Sequence, residues 1–179
     1  ELGALLDERL GRGEPAEAAF RRAVQLDDQA PRPLERLVSL QLRRGAWTEA
    51  SPFLQRLAGL LPADRAAALF RQAAQLASAA HDGTGALALR RQAHALVPAT
   101  GDELAELALS LYAGGSHAEA LPLLASVVSA LDQGGRPARE AEVLLAHADL
   151  LAESGELAQA EAALRRLADR PDAPAAAVE

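Results

Sequence analysis

Between Pro31 and Pro62 the apolar residues fall at Leu34, Leu37, Val38 and Leu42 and then, after Gly45, at Ala50, Phe53, Leu54 and Leu57. That is the period of an α-helix interrupted once, so the stretch reads as two helices joined by a turn. Gly45 suits the left-handed position that ends the first helix, and Thr48 is placed to cap the second. Tyr112-Ala-Gly-Gly-Ser-His117 and Glu153-Ser-Gly-Glu156 repeat the turn signal, while Pro31, Pro62, Pro98 and Pro171 punctuate the joints between pairs. Gly11-Arg-Gly13 and Gly83-Thr-Gly85 read as turns between helices. The pattern predicts helices over roughly 1–10, 14–28, 32–44, 48–60, 64–81, 85–97, 102–114, 117–131, 138–154 and 157–170.

The pair recurs. Sliding the chain by 34 places Gly11 on Gly45, Ala16 on Ala50, Phe20 on Leu54, Ala23 on Leu57 and Asp28 on Pro62. The same small-large-small triplet returns as Ala86/Arg90/Ala93, Ala120/Leu124/Val127 and Ala160/Leu164/Leu167, at spacings of 34, 36, 34 and 40 between the leading alanines. Five units follow, at approximately 1–30, 31–64, 65–100, 101–135 and 136–172, as one array with a flexible tail at 173–179. The third unit fits worst, because His81 stands for the turn glycine and Arg90 for the large apolar residue. A lone helix pair cannot bury its apolar stripe, so each pair must stack on the next, and Ala50, Ala120 and Ala160 let the backbones approach. The joint 132–139 reads as a spacer, since loops accept insertions at little cost.

These residues resemble the tetratricopeptide repeats, best in the second unit: Leu34, Leu37-Val38, Gly45, Ala50, Leu54, Leu57 and Pro62. The resemblance implies an all-α fold, a right-handed α-solenoid of antiparallel helix pairs in which the first helix of each pair lines a concave face. Carrying that face over residue by residue gives Leu5 and Glu8, then Arg32, Glu35, Ser39 and Leu42, then Ala68, Arg71, Gln75 and Ser78. It continues with Asp102, Ala105, Leu109 and Tyr112, and ends with Glu142, Leu145, Asp149 and Ala152. The Lys/Asn/Arg clamp by which some members hold chaperone tails is missing, since the chain has neither Lys nor Asn and Glu1 and Leu5 stand where clamp residues are expected. Arg32, Arg36 and Arg71 remain as candidates for a different carboxylate site.

Composition removes chemistry rather than adding it. The chain has 44 Ala and 33 Leu but no Ile, Lys, Asn, Met or Cys, a vocabulary that fits a GC-rich bacterial genome. Five aromatic residues are too few for a sandwich or barrel. Without Cys there are no disulfides, thiolate zinc sites or thiol nucleophiles, and without Lys no Schiff base. His81, His94, His117 and His147 are not at metal-ligand spacing; His147 lies on an apolar stripe and reads as a packed side chain, and His117 as a helix starter. No nucleophile elbow, phosphate loop or dinucleotide fingerprint is present. No enzyme, cofactor or metal is expected.

Charge is divided unevenly. Residues 1–91 hold 13 Arg and 11 acids, residues 92–179 hold 5 Arg and 14 acids, so +2 and −9 make the net −7. That excludes a general nucleic-acid binder, and the acidic C-terminal half reads either as a surface for a basic partner or as plain solubility of exposed helix faces. The arginine pairs 21–22, 43–44, 90–91 and 165–166 sit late in helices, where they complement the helix dipole. Trp47, at the start of a second helix, reads as an aromatic packed back on the preceding helix, with a binding hot spot as the other reading, and Pro52 and Pro122 mark equivalent bends. No apolar stretch reaches membrane-spanning length, and a cytoplasmic location is the expectation. The expected function is a non-catalytic scaffold that binds a protein or peptide partner through its groove or its acidic half. Two other readings stay open: an architectural or self-associating segment of a longer array, its ends lacking polar caps, and the docking segment of an enzyme whose catalytic domain lies elsewhere.

Overall fold

The computed structural model describes residues 13–135 and 137–168. Among them lie nine helices and no strand: α1 Gly13–Leu26, α2 Pro31–Arg43, α3 Trp47–Leu60, α4 Ala63–Ala79, α5 Gly83–Leu96, α6 Gly101–Ala113, α7 His117–Asp132, α8 Glu140–Glu153 and α9 Leu157–Ala168. Each matches an expected helix to within a few residues. The helix expected over 1–10, with Leu5 and Glu8, lies outside the described residues, as do Pro171, the tail and the side chains of Trp47 and Thr48.

The four described turns that join the two helices of a pair are built alike. In the α2–α3 turn Gly45 N–H donates to Leu42 O (3.0 Å) and Ala46 N–H to Gln41 O (3.0 Å), with Gly45 at φ 70°. These are the two bonds of the Schellman motif, which satisfies the last carbonyls of the helix. The pattern recurs with Gly115 (φ 74°) after α6 and Gly155 (φ 87°) after α8. After α4 it is His81 that takes φ 62°, with Asp82 N–H donating to Ala77 O at 2.9 Å. The irregular third unit therefore keeps the repeat's backbone and carries the strain of an L-residue in left-handed space.

The helices group into two compact units, Glu1–Pro98 and Ala99–Glu179. In the first, Phe20, Leu34, Leu37, Leu54, Leu57 and Phe70 form one apolar core. In the second, Leu121 packs with Ala148, Leu151, Ala160 and Ala163, and Leu131 with Leu144 and Leu167. The five leading alanines, Ala16, Ala50, Ala86, Ala120 and Ala160, are all buried, which is where the repeat requires close approach. Burial is worth about 0.8 kcal/mol per methylene, so Leu knobs such as Leu54 and Leu124 supply most of the cohesion.

Several local expectations change. α3 begins at Trp47 and its N-cap is Ala46, so Thr48 lies inside the helix rather than at its cap. Gly83-Thr-Gly85 is the first turn of α5, not a linker, and the Asp82 carboxylate caps it by accepting from Gly85 N–H at 2.8 Å. Arg90 does not leave a hole at the large position: its guanidinium donates to Ser78 Oγ at 3.1 Å. Leu164, the fifth unit's large residue, is 46% exposed where Leu54 and Leu124 are buried. Pro52 and Pro122 are each the sixth residue of a helix, α3 and α7, and each removes one backbone donor there.

Candidate functional site

The exposed faces of the first helices are assembled separately in each unit. In the first, Arg32 and Ser39 of α2 are exposed and Glu35 is half-buried. Glu35 and Ser39 line a shallow cavity of about 390 Å³ with Arg65, Ala68 and Gln72 of α4, over a floor of Leu57, Leu61 and Leu69. The Arg65 guanidinium lies 3.9 Å from the Glu35 carboxylate. Gln75 is exposed. Arg71 instead turns to the end of α5 and donates to Val97 O at 3.2 Å, so its first role is to close off that helix. Leu42 is only 6% exposed. It is packed in the core and not displayed on the exposed face of α2, which corrects the carry-over from the repeat pattern.

In the second unit the side chains form a chain of contacts across three helices. Tyr112 of α6 donates its hydroxyl hydrogen bond to Asp149 Oδ2 of α8 at 2.5 Å. Its ring stacks on His117 of α7 with centroids 5.7 Å apart and planes at 20°. His117 Nδ1 in turn meets Glu153 Oε2 at 3.0 Å. Hydrogen bonding to the Asp149 carboxylate, then burial, raises the Tyr112 pKa above its ordinary value. Glu142, one turn N-terminal to Leu145, is held by Arg139, and that hydrogen bond lowers the carboxyl's pKa. Between these acids Leu145 is 52% exposed. Glu142, Leu145 and Asp149 lie three and four residues apart, on one face of α8. Leu109, by contrast, is 7% exposed and packed inside, a second correction.

Sequence reasoning missed one cluster altogether. Glu17 of α1 accepts from Arg21 Nη2 (2.8 Å), Arg44 Nη1 (2.5 Å) and the buried Gln41 Nε2 (3.4 Å), and Arg21 also reaches Glu49 (3.1 Å). Beyond complementing helix dipoles, the guanidinium groups of Arg21 and Arg44 tie α1 to the α2–α3 turn. Arg21 and Glu17 are four residues apart on one helix, but the other partners are 24 to 28 residues apart in sequence, a separation the repeat stacking closes. Among the described residues no group of three His, Cys, Asp or Glu side chains is placed to hold a metal ion, and no helix is long and apolar enough to cross a membrane.

No protein-family model matches the chain and no curated protein matches it by sequence. Solved structures do match in fold. The crystal structure of MamA, 15% identical, aligns over 93% of this chain and 92% of its own with a TM-score of 0.54. YrrB, a tetratricopeptide-repeat protein with an unusual peptide-binding site, is 19% identical over 95% of this chain and 84% of its own at 0.54. The nearly identical TPR-like repeats of a putative kinesin light chain from Podosopora anserina are 19% identical over 92% and 89% at 0.50. The protein is thus an all-α helical-repeat solenoid of the tetratricopeptide-repeat fold.

Proposed function

We propose that the chain is a non-catalytic interaction module that holds a protein or peptide partner on the exposed faces of its first helices, α8 foremost. The observation that carries this reading is Leu145, 52% exposed on α8 and flanked on its own face by Glu142 and Asp149. An apolar side chain in water amid carboxylates, braced from α6 by the Tyr112–Asp149 bond, suits a basic segment with one apolar anchor. YrrB, of the same fold, has a peptide-binding site, which supports a peptide as the partner class here. Immobilised protein should retain its partner from cell extract, and Leu145→Arg with Asp149→Arg should lose it with circular dichroism unchanged. Retention by that variant would sink the reading. Gln75→Ala probes the corresponding face of α4 better than any change at Arg71, whose bond to Val97 O is structural.

A second reading, the array extended by a further helix pair or a second copy, is favoured by α9. There Leu157 is 67% and Leu164 46% exposed, although its apolar counterparts Phe20, Leu54 and Leu124 are buried. Light scattering over a concentration series, compared with Leu164→Glu, tests it: a monomer at every concentration counts against self-association.

A further inference from the structure

The first unit has an opening lined by a serine at a place where the second unit carries a leucine. Aligning the leading alanines places Ala50 of α3 on Ala120 of α7 and Ala86 of α5 on Ala160 of α9, so Ser51 corresponds to Leu121 and Gly85 to Gln159. In the second unit Leu121 packs against the cluster that Ala148 and Leu151 of α8 form with Ala160 and Ala163 of α9. In the first unit the serine is too short to do the same, and a cavity of about 380 Å³ opens between α3 and α5. That volume lies within the range of sites that accept a bulky apolar group. Gly85 lines the opening. A Cβ there would lie 2.3 Å from Asp82 Oδ2, because the carboxylate that caps α5 lies over it.

The lining specifies what fits. Leu42, Leu54 and Leu89 form an apolar floor, and the Gln55 and Gln92 amides and the Ser51 hydroxyl stand at the rim. Each glutamine amide offers donors and an acceptor, the complement of a peptide group. Among the described residues Asp82 is the only ionisable one lining the cavity, so the charge it favours is positive. We propose that the α3–α5 cleft is a peptide-binding site, separate from the first-helix faces, which takes one large apolar side chain beside an arginine or lysine from an extended partner segment. The floor receives the apolar group, Gln55 and Gln92 bind the flanking backbone, and Asp82 pairs with the cation.

The probe is the synthetic peptide acetyl-Gly-Arg-Leu-Arg-Gly-amide, titrated into the whole chain and followed by amide chemical shifts. Saturable shifts at Ser51, Gly85, Leu89 and Gln92 are expected, with weaker or no response when the peptide's Leu is replaced by Ala or its Arg residues by Glu. Ser51→Leu installs the residue that the second unit already uses, so the fold should hold while affinity falls about tenfold or more, a loss of about 1.4 kcal/mol or greater. Asp82→Asn keeps the helix cap, since Asn caps as well as Asp, and should erase the preference for the Arg peptide over its Glu counterpart. Should Ser51→Leu fail to fold, the Asp82→Asn titration alone decides. No saturable shift with the wild type, equal binding of the Glu peptide, or affinity unchanged in a folded Ser51→Leu or in Asp82→Asn would overturn the proposal.

Discussion

His81 holds a conformation that costs an L-residue about 1–2 kcal/mol, at a position where Gly45, Gly115 and Gly155 incur no such cost. Glycine would bring back about 0.5–1 kcal/mol of unfolded-chain entropy, so the two effects do not cancel. His81→Gly should raise stability by about 0.5–1 kcal/mol, and thermal unfolding followed by circular dichroism should shift upward by a few degrees. His147 makes the opposite kind of statement. It is 9% exposed with Nδ1 lacking a hydrogen-bond partner, and burial lowers its pKa. The unfolded chain therefore takes up the proton at higher pH than the folded one. Stability is complete above about pH 6.5 and falls as the pH drops through the depressed folded value. The urea midpoint should fall between about pH 7.5 and pH 5.5, and His147→Leu should reduce that fall.

At the scale of helices, spacing alone made most of the architecture legible. The apolar period gave the helices, and the leading alanines gave the points of closest approach, because both follow from local geometry. Ala120 is fully buried, so Ala120→Leu should cost about 1–3 kcal/mol through overpacking, whereas Ala125→Leu on the exposed side of α7 should change stability by less than about 0.5 kcal/mol; chemical denaturation distinguishes the two. What the sequence hid depends on neighbours. Leu42 and Leu109 sit at positions the repeat pattern assigns to a groove, yet both are buried, since that pattern does not record how wide an arc of each helix its neighbours cover. The Glu17 cluster and the space opened by Ser51 were hidden for the same reason: each joins residues of different helix pairs.

At the scale of the whole chain the charge division coincides with the structural one. No Arg, Asp or Glu lies between residues 92 and 98, so the unit ending at Pro98 keeps the net +2 and the unit from Ala99 carries the −9. A partner drawn to the second unit should be steered by this field over a Debye length of about 10 Å at 0.1 M salt. Its association rate should fall several-fold between about 50 and 200 mM salt, measured by stopped flow, with the dissociation rate less affected. A rate insensitive to salt would assign the acidic surface to solubility alone.

The four kindred turns carry one more implication. Because Gly45, His81, Gly115 and Gly155 occupy the same left-handed place between the same pair of backbone bonds, the connectors are interchangeable parts. A loop excised from one helical hairpin and grafted into another would meet helix ends already shaped to receive it.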